Sequence, residues 1–186
     1  MPTTSLRAIL RHDVTRDAID DAMAETGCRL INVIPPSESH PGQSIYATRE
    51  RTGFLFLVED GRLGAVYLTA QGEHPDRDLE AIRALLPCYG TGELEADVSD
   101  CEDEAALARG LGLLVLSISG EPSDQQVHIL RRSLVHSSPV VRCAALVALA
   151  YVPWPALADD VAALAADDDE PVVRLHAQQL LAALRA

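Results

Sequence analysis

The chain has 186 residues, 48% of them hydrophobic and 23% charged, enough for a globular core in one or two domains. Its formal charge of −13, from 28 acids against 15 bases, repels phosphate backbones and argues against nucleic-acid binding as a main role. Every base is an arginine, which excludes lysine Schiff bases, a P-loop lysine and a Ser–Lys dyad.

No stretch of about eighteen apolar residues occurs, and MPTTSLRAILRHDVTRD lacks a cationic start followed by an apolar run. A soluble, cytoplasmic protein is expected. Cys28, Cys88, Cys101 and Cys143 form no CxxC pair and no zinc-ligand spacing, so they read as reduced thiols, with a Cys88–Cys101 bridge as the alternative.

In chain order, DVTRDAIDDAMAETG is the first helix. Asp13 is placed to cap it, Ala18, Ala22, Ile19 and Met23 give helical spacing, and Gly27 suits a left-handed stop. RLINVI is a short apolar strand closed by Pro35 and Pro36, PPSESHPGQS is a loop, and SIYAT is a weak strand. FLFLVEDGRLGAVYL is the strongest β signal: two apolar runs flank Asp60-Gly61, a dipeptide suited to a tight primed hairpin turn. The run from Phe54 to Val58 is apolar on both faces, which predicts a strand covered on both sides.

DRDLEAIRALLP reads as a short helix with Leu79, Ile82, Leu85 and Leu86 inward and Pro87 as its stop. GELEADVSD alternates like an edge strand with its acids facing water. SDCEDEAALARG offers Ser99 and Glu102 at capping-box spacing, then a short acidic helix. LGLLVLSIS reads as an apolar strand, broken at Gly120-Glu121-Pro122. These elements predict an α+β domain over residues 1–120 with a mainly antiparallel sheet and flanking helices.

From Ser123 the period is helical throughout, predicting an all-α tail over residues 121–186 packed on that domain. The tetrapeptide PVVR occurs twice, with Pro139 and Pro171 separated by 32 residues. In this register Val141 falls on Val173, Ala145 on Ala177 and Leu149 on Leu181. The positions read as exposed drift, Cys143 against Leu175 and Leu146 against Gln178. Repetition confined to the inward face is what a stacked structural unit requires. Each proline suits a first helical position, where its missing N–H costs nothing.

The run AADDDEPVVR, the following A…LLAAL and the intervening YVPWPAL resemble short HEAT repeats of the phycobilisome-lyase type, over about residues 123–186. The second copy fits that motif at Asp168, Pro171, Val173 and Arg174. In the first, His136 stands where the motif has aspartate, leaving Arg142 without the usual partner. The resemblance implies two helical hairpins, with each arginine pairing to a turn acid; Asp168–Arg174 is the expected pair, at about 1 kcal/mol. Two hairpins are few for a stack, so the helix beginning at Ser123 is expected to lean on the α+β part. The last helix, with Leu180 and Leu184, is expected to offer an apolar strip to a partner or close a homodimer.

Chemical constellations are sparse. There is no GxSxG elbow; Gly110 and Gly112 lack a third glycine, and Tyr89-Gly90-Thr91-Gly92 reads as a connector. Asp124, His128, His136 and His176 could be assembled into a metal site only through the fold, and solvated or capping histidines are the default. The acidic runs CEDE and ADDDE sit at helix starts, where acids are favoured electrostatically. No catalytic residue, cofactor or metal site is assigned. The reading that remains is a non-enzymatic protein–protein interaction protein, a bacterial adaptor, chaperone-like or immunity-type binder. It would use its acidic surface and helical tail on a protein partner, a basic one being favoured, with neither nucleic acid nor membrane involved. Trp154, Arg142, Arg174, His128, Leu180 and Leu184 are its candidate partner-binding residues. The rival is a small-ligand protein or enzyme with a pocket between sheet and repeats, lined by Arg142, Arg174, His128 and Trp154.

Overall fold

Period-two alternation ends at Gly72, and that change of period organises the computed structural model, which describes residues 7–152 and 154–184, Leu184 by its backbone alone. The chain divides into two compact units, Met1–Gly90 and Thr91–Ala186.

The described residues of the first unit carry five strands, β1 (Arg7–Ile9), β2 (Arg29–Ile34), β3 (Gly42–Ala47), β4 (Gly53–Asp60) and β5 (Ala65–Gly72), and two helices, α1 (Arg16–Glu25) and α2 (Pro75–Arg83). All pairings are antiparallel, in the order β1-β5-β4-β3-β2. Strands β2 to β5 form a meander, and β1, absent from the sequence reading, adds to its far side. Leu55, Leu57, Leu68, Ala8 and Tyr46 alternate onto one face and pack with Ile19, Ala22 and Met23 of α1 and Leu79 and Ile82 of α2. Leu85, expected inward, is 38% exposed because α2 ends at Arg83 and hands it to the following turn.

Local chemistry sets the boundaries. Helix α1 is capped by Thr15, whose hydroxyl accepts from Ala18 N at 3.2 Å, rather than by Asp13. The β4–β5 connection is a four-residue loop, not a tight primed turn. The Asp60 carboxylate accepts from Arg62 N at 3.0 Å and Leu63 N at 3.2 Å, and Gly64 takes the left-handed residue at φ 61°. Only part of the doubly apolar Phe54–Val58 run is covered on both faces: Leu55, Leu57 and Val58 are buried, but Phe54 is 44% exposed.

Among its described residues the second unit has helices and no strand, which differs from the sequence-based expectation. GELEADVSD is not an edge strand but helix α3 (Thr91–Ser99), with Leu94 and Val98 four apart and buried. The expected acidic helix and apolar strand are one helix, α4 (Glu104–Ser117), capped by Asp103, whose carboxylate accepts from Ala106 N at 2.7 Å. Leu107, Leu111, Leu114, Val115 and Leu116 are all buried, as befits a helix apolar nearly all round. Gly110 lets α3 approach closely: a Cβ there would lie 2.7 Å from Val98 Cγ2. The compact units therefore divide between Gly90 and Thr91, not at residue 120.

Helices α5 (Asp124–Leu134), α6 (Pro139–Tyr151), α7 (Ala158–Asp167) and α8 (Pro171–Leu184) complete the unit. Antiparallel neighbours α3–α4, α5–α6 and α7–α8 make hairpins; α4, α6 and α8 stack in one layer and α3, α5 and α7 in the other. The stack thus has three hairpins rather than two, which meets the number such arrays need. The helix after Ser123 finds its partners within this unit, in α3, α6 and α7. Leu146, expected to be exposed, is 1% exposed because α6 packs against α4, α5 and α8 at once. Among the described residues no helix is long and apolar enough to cross a membrane.

Candidate functional site

Position 32 residues apart dictates nearly identical turns before α6 and α8. In the first copy Ser138 N donates to His136 Nδ1 at 3.1 Å; in the second Glu170 N donates to Asp168 Oδ1 at 2.9 Å. Histidine therefore replaces the motif aspartate in its local turn-forming role. Arg142 Nη1 donates to the carbonyls of His136 at 2.8 Å and Ser137 at 3.0 Å. Arg174 Nη1 repeats this on the carbonyls of Asp168 and, at 3.2 Å, Asp169.

The remaining donors of the two arginines part company. Arg142 reaches forward to the next hairpin and grips Asp168 through both fork positions, Nε to Oδ2 at 2.7 Å and Nη2 to Oδ1 at 2.9 Å. The side chains are 12% and 4% exposed, so the pair is largely withdrawn from water. The expected Asp168–Arg174 side-chain pair does not form, because that carboxylate is already held by Arg142. The Arg142 fork holds the Asp168 carboxyl below its usual range, and hydrogen bonding to Asp168 raises Arg142 further. Both arginines converge on Asp168, one on its carboxylate and one on its carbonyl, and both serve as fixtures of the stack.

The other sequence candidates do not assemble around them. Trp154 is 4% exposed and Leu180 is 5% exposed, so each is packed inside the unit instead of being presented to a partner. His128 is exposed on α5, and the Leu184 side chain lies outside the described residues. The Trp154 Nε1 and His176 Nδ1 atoms are buried without a hydrogen-bond partner among the described residues. Among the described residues no three His, Cys, Asp or Glu side chains are grouped to hold a metal ion.

Potential nucleophiles and proton donors are turned away from chemistry. All four cysteines are free, and burial pushes the Cys88 and Cys143 thiols up, away from thiolate. The Tyr46 hydroxyl is pushed up to about 12 by burial and by its hydrogen bond to Asp20. It donates to Asp20 at 3.0 Å and accepts from Arg16 at 2.9 Å, tying α1 to β3.

A surface site emerges instead at the β2 edge of the sheet. Among the described residues β2 pairs only with β3, and three of its apolar side chains are exposed: Leu30 46%, Ile31 52% and Val33 57%. Exposed edges of this kind are usually blunted by charge or proline. At the N-terminal end of β2 the pairing of Arg29 with Ala47 brings the β3–β4 turn alongside. There Arg29, Arg49 and Arg51 line a cleft of about 630 Å³ together with Leu30, Ile31 and Phe54.

The turn is closed by Arg51 N donating to Thr48 O at 2.9 Å, with Arg51 held at φ 59°, a conformation costly to a long side chain. Arg49 lies over Gly27, where an added Cβ would sit 3.1 Å from its Cγ and Cδ. Among the described residues none of the three arginines makes an ion pair or side-chain hydrogen bond, although the chain has 28 acids. Sequence reasoning missed this site because Arg29 lies 20 and 22 residues before Arg49 and Arg51, and only strand pairing brings it to them. No family model, no curated protein and no solved structure matches the chain.

Proposed function

We propose that the chain is a non-enzymatic protein-binding protein of the adaptor, chaperone-like or immunity type, and that it engages its partner through the β2 edge. The observation that supports this reading is the row of Leu30, Ile31 and Val33, exposed on a strand that, among the described residues, is hydrogen-bonded along one side only. A free strand edge offers unpaired backbone donors and acceptors, and apolar neighbours supply the burial that makes pairing favourable. The three helical hairpins, read as a HEAT-like scaffold, contribute a rigid acidic body that steers a basic surface of the partner.

The test places a photo-crosslinking residue at Ile31 and, as a control, at Val135, which is 72% exposed on the helical unit. A polypeptide captured at Ile31 but not at Val135, and lost in Leu30→Asp at unchanged Tm, is the expected result. Capture indifferent to Leu30→Asp, or equal at both positions, would move the site elsewhere. A second reading, a small anionic ligand, is favoured only by the arginine-lined cleft; stabilisation by a small dicarboxylate without polypeptide capture would establish it.

A further inference from the structure

We infer that the β2 edge binds an extended partner segment, an apolar stretch followed on its C-terminal side by two or more acidic side chains, added antiparallel to β2. This rests on the protein-binding reading and names the chemistry of its partner. Charge selects the occupant: in a chain of net charge −13, three arginines without carboxylate partners among the described residues meet at one cleft, Arg29 at the start of β2 and Arg49 and Arg51 in the β3–β4 turn. One carboxylate would leave two of them uncompensated, so a run of acids fits better than a single terminal carboxylate.

Direction follows from the sheet. β2 begins at Arg29, beside the cleft, and runs away from it to Ile34. A strand laid antiparallel on its free side runs the opposite way, so its C-terminal end arrives at Arg29, Arg49 and Arg51. Its apolar side chains then cover Leu30, Ile31 and Val33, while Phe54 forms the apolar wall of the cleft.

Two local features modulate the edge. Ile31 is the extra residue of a bulge between Leu30 and Asn32, which bends and twists the strand locally. The Val33 N–H is held by Asn32 Oδ1 at 2.9 Å, an internal stand-in for a partner carbonyl. An incoming strand exchanges with it, so Asn32→Ala should bind a few-fold more tightly.

Fluorescence anisotropy on the full chain tests this with a labelled ten-residue peptide, six alternating Val and Thr followed by three Glu and one Gly, amidated at its C-terminus. Binding is expected, about tenfold weaker when the three Glu become Gln and about tenfold weaker when the Glu are moved to the N-terminal end. Arg51→Gly should weaken it at least several-fold while holding or raising Tm, since glycine relieves the φ 59° backbone. Arg83→Gln, an exposed arginine paired to Glu80 elsewhere in the unit, should leave it unchanged. Equal binding of the Gln peptide overturns the acidic partner, and equal binding of the reordered peptide overturns the antiparallel direction. No peptide binding, with crosslinking at Ile31 intact, overturns the extended-segment partner and leaves the protein-binding reading standing. A dimer in sedimentation that Ile31→Asp dissociates makes the occupant a second copy, and also overturns it.

Discussion

The two PVVR copies share four residues and the same helix start, yet their arginines meet different surroundings. Arg142 and Arg174 make the same local bonds, each to the carbonyls six and five residues back, which the motif alone encodes. Only Arg142 also holds a carboxylate, because a following hairpin supplies Asp168 to it. A repeated motif thus specifies its own turn, while the bond that joins repeats depends on what stacks next. The inner position shows the same lesson: Leu146 is buried against three helices, and its counterpart Gln178, on α8, is exposed.

Asp168→Ala should separate the copies most sharply. It strips the partner from a mostly buried guanidinium and removes the bond to Glu170 N, at a cost of about 3 kcal/mol in urea denaturation. Arg174→Ala removes only its bonds to two carbonyls and should cost about 1 kcal/mol. Equal losses would mean that the cross-hairpin pair contributes nothing of its own.

The same pair should be visible in pH. The Asp168 carboxyl is lowered in the folded chain from 3.8, chiefly by Arg142, so its contribution is present above that value and lost as pH falls through the folded pKa. Asp168→Asn can keep the turn but not the charge. The stability gap between wild type and Asp168→Asn should be full at neutral pH, begin to shrink near the ordinary value of 3.8 and close only as pH falls through the lowered folded pKa. A gap constant from neutral to acid pH would assign the loss to the turn alone.

What was legible in the sequence divides along the same line between local and stacked information. Thr15, Ser123 and the two prolines mark helix starts through bonds or missing donors within four residues, so those elements read well, with Asp13 mistaken for Thr15 by two positions. The Ser123–Gln126 capping box is complete, with Ser123 N donating to Gln126 Oε1 at 2.8 Å and Gln126 N donating to Ser123 Oγ at 3.2 Å. The first half of α4 reads as an acidic helix, but its second half reads as a strand, because residues 111–116 are largely buried with no polar face and LGLLVLSIS has the length of a strand. Reading GELEADVSD and the second half of α4 as strands hid the first hairpin, and with it the reason Leu146 is buried. The β2 site needed three-dimensional information of another kind, since nothing in RLINVI says which strand will lie at the edge.

Inward valines should treat the copies alike. Val141 and Val173 are both fully buried, and truncation to alanine removes the same two methyl groups in each. Each should cost about 2 kcal/mol, transfer and cavity together. A markedly larger loss at Val141 would show that α6, enclosed by three helices, relaxes less around a cavity than α8.

The smallest effect tests the outward face of the motif. Val140 and Val172 are neighbours of those buried residues in sequence but are 58% and 48% exposed. Their conversion to serine removes little buried area and leaves both proline starts and both arginines in place, so each should change stability by less than about 0.5 kcal/mol. If both substitutions left stability unchanged but weakened partner capture at Ile31, the repeated valines would belong to the binding surface and not to the stack. Unchanged capture as well would mean that the motif repeats only what folding needs, its inward valine, its arginine and its proline, and that binding resides with the sheet.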